Sequence, residues 1–260
     1  MSAPRSDYRE VAPPGPLAAS LVCTWAQTVG ERAQRVLPDG CADILWIGEA
    51  APVVVGPATG VTLAALPPGT IIAGARFRPG RIAAWLPLAA DELTDRLTPL
   101  ADLWRGDVDA LTARVLAAPT PEARRATIEA ALLDRAPQTT APDPQVAAAI
   151  GWLARQPHGR VADLPALTGL GERQLRRRFQ VAVGYEPKRL ARILRLQRLL
   201  ALATRVPVGR GRLVALAVAA GYADQAHMAR ECAALAGLTP GALLPGAASA
   251  LALSDLFKTV

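Results

Sequence analysis

Apolar positions change their period along this chain. From Leu17 to about Arg78 they come as short runs, LVCTWA, ADILWI, PVVVG and TIIAGARF, cut by LPDG, LPPG and RPG. Short runs rich in Val, Ile and Trp and bounded by Pro and Gly predict β-strands joined by turns. Residues 81–88, 107–117 and 121–135 then have helical composition. The last of these opens with Thr120 as N-cap, Pro121 at the first helical position and Glu122 in the first turn. The stretch APQTTAPDP, 136–144, cannot continue a helix, because proline lacks the amide and fixes φ, and it predicts a linker. From Gln145 to about Leu244 the pattern is helical, with breaks at Gly159, Gly169, Gly184, Gly209 to Gly211, Gly221 and Gly237. Short, closely spaced helices predict a compact all-α domain. In the tail GAASALALSDLFKTV, Ser254 is a candidate cap for a last turn. The expected organisation is α+β: a mostly β domain with following helices over 1–136, a linker over 137–144, an all-α domain over 145–247 and a tail over 248–260.

Within the helical region a single pattern occurs twice. In VADLPALTGLGERQLRRRF, a short helix around Leu164 and Leu167 meets a turn at Thr168 to Gly171, and a second helix follows. Leu175 and Phe179, four apart, share its buried face, and Arg173, Arg176, Arg177 and Arg178 lie elsewhere on it. About 52 residues later, in LVALAVAAGYADQAHMARECAALAGLTP, a helix ends at Gly221 and a turn leads to a second helix with Asp224 near its start. There Met228 and Cys232 take the inner positions, while Gln225, His227 and Arg230 fall on faces able to reach DNA. Gln reads adenine and Arg reads guanine through paired hydrogen bonds. Between the units, YEPKRLARILRLQRLLALATRV predicts one long helix with Leu190, Ile193, Leu194, Leu196 and Leu200 as its apolar stripe.

Charge sharpens this picture. Between Gly171 and Arg212 stand 12 basic residues against Glu172 and Glu186, a net of +10, while the remaining 17 basic and 20 acidic residues give −3. Such a block predicts a polyanionic partner, and almost all of it is Arg, whose planar fork suits phosphate and guanine edges.

With these motifs placed, residues from about Gln145 to Leu244 resemble the AraC-type DNA-binding domain. LPALTGLGERQLRRRFQVAVGYEPKRLARILRLQRLLAL matches its first unit and linker helix, and LAVAAGYADQAHMARECAALAGLTPGALL its second. The resemblance implies seven helices, two helix-turn-helix units, and recognition helices entering major-groove segments one turn, roughly 34 Å, apart. It places Arg173, Arg176 and Arg177 towards bases in the first unit, and Gln225, Ala226, His227, Ala229 and Arg230 in the second. Arg178, Lys188, Arg189 and Arg192 complete the expected DNA-binding set. The sequence departs from the family where Gly171 replaces a Ser-like cap, Pro165 replaces Ala, and Met228 and Cys232 replace Phe. Pro165 is tolerable if its helix starts near Ala162, which puts the proline in the first turn.

PDGCADILW, GARFRPGRIAAWL and ADELTDRLTPLADLWRG resemble a poorly characterised domain found ahead of such DNA-binding domains. It implies a sensing or dimerising role and a small barrel or cupin-like sheet. Trp25, Trp46, Arg76, Phe77 and Arg78 are the candidate wall of a pocket for a small anionic or aromatic effector, weighed against a plain core role. The expected partners are double-stranded DNA, an unidentified effector, a second copy of the chain and, for an activator, RNA polymerase.

Other classes fit less well. Residues 1–140 contain no His, which argues against a metal-dependent enzyme on a cupin-like domain. Cys23, Cys41 and Cys232 are widely spaced without a CxxC pair, so no disulfide framework, zinc site or activated cysteine is signalled. Asp39 and Asp43 flank Cys41, but carboxylates raise a thiol pKa and Asp-Gly is a turn signal. His158 reads as a solvated loop residue. No signal peptide or membrane span is expected, and the reading is of a cytoplasmic, cofactor-free, non-enzymatic regulator. The alternative is a non-specific DNA-binding or protein-interaction protein that kept the fold.

Overall fold

A computed structural model of the chain describes residues 7–31, 33–104, 106–205 and 211–244. The tail with Ser254, residues 245–247 and the breaks at Gly209 and Arg210 lie outside the described residues.

The amino-terminal half runs β1 (Asp7–Val11), α1 (Gly15–Ala18), β2 (Leu21–Thr28), β3 (Gln34–Val36), β4 (Ala42–Ile47), β5 (Val53–Val55), β6 (Thr62–Ala64) and β7 (Ile71–Phe77). It continues with α2 (Ala90–Leu93), β8 (Leu97–Pro99), α3 (Leu100–Leu103), α4 (Val108–Ala117) and α5 (Pro121–Arg135). The apolar runs of the sequence are β2, β4, β5 and β7. The short strands β3, β6 and β8 and the polar strand β1 carry no comparable run.

Six strands form one antiparallel sheet in the order β1-β2-β7-β4-β5-β8, and β3 pairs with β6 as a separate ribbon. The sheet is open, with β1 and β8 at its edges. Side chains alternate between its faces. Ala73, Ala75 and Phe77 of β7 join Ile44 and Trp46 of β4 on the face that α5 covers with Ile128 and Leu132. Cys23, Trp25 and Ile72 point the other way, into a smaller cluster with Tyr8 and Leu45.

Caps fix the helix starts. The Thr120 hydroxyl accepts from Ala123 N at 3.1 Å with Pro121 behind it, and Asp107 accepts from Ala110 N at 2.7 Å. Over 81–88 only Ile82–Ala84 makes a single 3₁₀ turn. Pro79 before it and Pro87 after it leave no run of amides long enough for an α-helical ladder.

The carboxy-terminal half is α6 (Pro144–Arg155), α7 (Leu164–Thr168), α8 (Glu172–Val183), α9 (Pro187–Ala203), α10 (Arg212–Ala220), α11 (Gln225–Ala236) and α12 (Pro240–Leu243). Asp143 caps α6 by accepting from Gln145 N and Val146 N. These helices share one apolar cluster that includes Val146, Phe179, Ile193, Leu216 and Met228.

That cluster has one member from far upstream. Leu37, in the β3–β4 loop and 2 % exposed, is buried among the carboxy-terminal helices. Full burial of a leucine is favourable by about 1.5–3 kcal/mol, so this loop is an anchor between the halves. Beside it, Gln197 Nε2 donates to Pro38 O at 2.8 Å. Gly40 turns with φ +87°, where a side chain is strained and a Cβ would crowd Leu190 and Pro79.

Candidate nucleic-acid interface

The first unit follows from its helix ends. Pro165 sits in the first turn of α7, preceded by a 3₁₀ turn at Val161–Asp163, and Gly169 closes α7 in the left-handed region. Gly171 then starts α8 from extended backbone without a side-chain cap, the consequence of having no hydroxyl there. Leu175, Phe179 and Val183, four apart, fix the inner face of α8. Arg173 and Arg177 stand exposed on it and have no ion-pair partner among the described residues. Arg176 pairs with Glu186 yet keeps 61 % of its side chain exposed. Arg178 is turned inward: its Nη1 donates to Asp143 Oδ2 at 3.2 Å and Gln145 Oε1 at 3.0 Å, tying α8 to the start of α6.

The second unit repeats the design. Gly221 ends α10, Asp224 caps α11 by accepting from His227 N, and Gly237 ends α11. Met228 and Cys232 are fully buried in place of the larger aromatics. Gln225, Ala226 and Arg230 are exposed. His227 is partly drawn inward. Its ring meets Tyr222 edge-on at 5.4 Å, Nδ1 accepts from Ala223 N at 3.3 Å, and Nε2 lies 3.5 Å from Glu231 Oε1.

Glu231 is the residue that sequence reasoning missed. It sits on the inner side of α11 with 8 % of its side chain exposed, and it binds α9 through Arg192 Nε at 2.9 Å and Arg195 Nη2 at 3.1 Å. Burial alone would raise its carboxyl pKa. The Arg195 and Arg192 hydrogen bonds and charges outweigh that and hold it below the usual range. A carboxylate within an otherwise apolar inner face, facing an Arg-rich helix, was the available signal.

The basic block therefore has two kinds of member. Arg192 and Arg195 hold Glu231. Arg198 donates to Ala220 O and Ala154 O, and Arg212 to Ala203 O, satisfying carbonyls at helix ends. Arg189 donates to Thr59 O at 3.4 Å. Lys188, by contrast, is exposed at the start of α9. Of the ten residues expected to meet DNA, Arg173, Arg176, Arg177, Lys188, Gln225 and Arg230 remain outward, and Arg178, Arg189, Arg192 and His227 have partners inside the protein.

The five candidate effector residues do not share a wall. Trp46 and Phe77 are buried on the α5 face of the sheet, Trp25 and Arg76 lie on the opposite face, and Arg78 is exposed, donating to Ala18 O. Arg76 stands 5.9 Å over Trp25 and is ion-paired with Glu10, Asp39 and Asp43 at 3.4–3.6 Å. Strand alternation separates these residues, a relation the apolar runs alone did not convey. Among the described residues no group of His, Cys, Asp and Glu is placed to hold a metal, and no helix is long and apolar enough to cross a membrane.

Two helix-turn-helix units joined by α9, with polar outward faces on α8 and α11, define a DNA-binding regulator. Residues 164–245 match the family model described as "Helix-turn-helix domain", and residues 9–99 match "Domain of unknown function (DUF6597)". The carboxy-terminal region of the chain is a helix-turn-helix domain of the AraC type, and the amino-terminal region belongs to that uncharacterised family. Among curated proteins none matches the chain. Among solved structures, ToxT from Vibrio cholerae O395 is similar at 11% identity, covering 91% of this chain and 95% of that one with a TM-score of 0.43. Unsaturated fatty acid bound wild-type ToxT from Vibrio cholerae strain SCE256 is similar at 10% identity, covering 93% and 94%, with a TM-score of 0.42. At that identity no residue role transfers from them.

Proposed function

We propose that this chain is a sequence-specific transcription regulator that reads two adjacent major-groove segments through α8 and α11. The observation that carries the reading is the paired outward faces: Arg173 and Arg177 on α8, Gln225 and Arg230 on α11, each opposite a fully packed inner face. Arg177 and Arg230 are the main base-reading groups in this proposal, and Arg176 and Lys188 contribute phosphate contacts. The amino-terminal half sets the relation between the two units, because it is anchored to both. Thr94 Oγ1 donates to Gly184 O at the end of α8, and Arg35 Nη1 donates to Ala236 O at the end of α11, both at 2.9 Å.

The test is selection of bound sequences from a random DNA pool by the full-length protein, Arg177→Ala and Arg230→Ala. Wild type is expected to enrich two short blocks about one helical turn apart. Each variant is expected to lose preference at one block, at a cost of about 1–3 kcal/mol on the enriched site. Equal weakening on all sequences would make these arginines phosphate contacts and the protein a non-specific binder.

A further inference from the structure

Between the two helix-turn-helix units lies an open cleft of about 400 Å³. Three segments distant in sequence wall it: the turn at 157–161, the start of α9 and the turn before α11. They contribute His158, Arg160, Lys188, Arg195, Tyr222 and His227. Tyr222 lines the cleft, 2 % exposed, and its buried hydroxyl has no hydrogen-bond partner among the described residues.

The carboxylates close in sequence to these segments are already engaged. Glu231 binds Arg192 and Arg195, Glu186 pairs with Arg176, Asp224 caps α11, and Asp163 accepts from the Arg160 amide at 3.2 Å. The exposed side chains of Arg160 and Lys188 have no ion-pair partner among the described residues. Lys188 also stands in the first turn of α9, so the positive end of that 17-residue helix reinforces the same sign of charge. A cleft walled by one sign of charge concentrates anions. Arg160 lies outside the basic block, so charge counting along the sequence does not find this site.

We infer that the cleft seats phosphodiester groups of the DNA strand that passes between the two groove segments, with Arg160 and Lys188 as their cation partners. The inference rests on the reading of α8 and α11 as the two groove-entering helices. It assigns the stretch between the base-reading blocks a backbone contact that carries no sequence preference.

The experiment measures affinity of the full-length protein for a random-sequence duplex across salt concentrations, for wild type, Arg160→Ala, Lys188→Ala and, as control, Arg114→Ala on α4. Each neutralised phosphate contributes about 0.9 to the slope of log affinity against log salt. Arg160→Ala and Lys188→Ala should each lower the slope by about that amount, so a fourfold rise in salt should weaken each about 3.5-fold less than wild type. Arg114→Ala should match wild type. Wild-type slopes for both cleft variants would overturn the inference. This readout does not require an enriched motif, so a failed selection and a failed cleft are told apart. On an enriched site, methylphosphonate linkages should weaken wild-type binding most between the two blocks and weaken Lys188→Ala least there; sensitivity confined to linkages outside that interval would also overturn it.

Discussion

Replacing Glu231 by Gln keeps the shape of the side chain and one acceptor oxygen while removing its charge. The carboxylate is buried, with Arg192 Nε at 2.9 Å and Arg195 Nη2 at 3.1 Å. Removing one side of a fully buried pair costs about 3–5 kcal/mol, because the other charge is left without compensation. Here the two guanidinium side chains keep 26% and 19% exposure, so water takes up part of that charge. The expected cost is therefore smaller, about 2–3 kcal/mol. The assay is urea unfolding of the full chain at pH 7, followed by the same comparison at lower pH. The folded-state pKa of Glu231 is depressed, since Arg195 and Arg192 outweigh the upward push of burial. Its stabilisation is therefore fully present above the unfolded value of about 4.3 and is lost as pH falls through the folded value. The gap between wild type and Glu231→Gln should stand at pH 7 and narrow as pH falls below the unfolded value of about 4.3 towards the depressed folded value. A variant within about 0.5 kcal/mol of wild type at pH 7, or a gap that persists unchanged at pH 3, would refute the ionic clip between α9 and α11.

Leu37→Ala should cost about 2–5 kcal/mol, read as loss of helical circular dichroism at lower urea, because the cavity opens among the carboxy-terminal helices although the residue lies in the β3–β4 loop. The cysteines should react slowly with iodoacetamide in the folded protein at pH 7.5, as followed by mass spectrometry. Burial pushes the Cys23 thiol up to about 12 and the Cys232 thiol to about 11, and burial with the charge of Asp39 raises Cys41. Rapid labelling of Cys23 or Cys232, both buried, would contradict the packing around them.

Local rules reached far into this chain, and they stopped where partners come from elsewhere. Thr120 and Pro121 mark the start of α5 in the sequence because a cap is a matter of three or four consecutive residues, whereas Asp143, which caps α6, lies within the stretch expected as linker. The inner faces of α8 and α11 followed from fourfold spacing alone. The short strands β3, β6 and β8 escaped notice, since three residues cannot show a period. The basic block predicts a polyanionic partner as a whole, whereas Arg178, Arg192, Arg195, Arg198 and Arg212 serve carboxylates or helix-end carbonyls. Which arginines turn inward depends on Asp143, Glu231 and carbonyls brought close only by folding. The same holds for Trp25 and Trp46, both aromatic and near in sequence, which strand geometry sends to opposite faces.

The two contacts between the amino-terminal half and the recognition helices both fall at helix C-termini, on the C-cap carbonyl of α8 and on the last-residue carbonyl of α11. The carbonyls at the ends of α8 and α11 have no partner within their own helices, and each is met by a side chain from the other half: Thr94 at Gly184 and Arg35 at Ala236. At Gly184, with φ +97°, a Cβ would collide with Thr94 and Ala90, so the fit requires glycine on both steric and backbone grounds. If the proposed reading of two groove segments holds, the spacing of the helices is set partly by these hydrogen bonds, each contributing about 1 kcal/mol. Removing both, as Thr94→Val with Arg35→Ala, leaves the two units free to vary their relation and should weaken binding to an enriched two-block site by up to about 30-fold. Binding to a single-block duplex should change little, because one unit needs no fixed partner. Equal loss on both duplexes would place the effect in general destabilisation, and no loss on the two-block site would show that α9 alone sets the spacing.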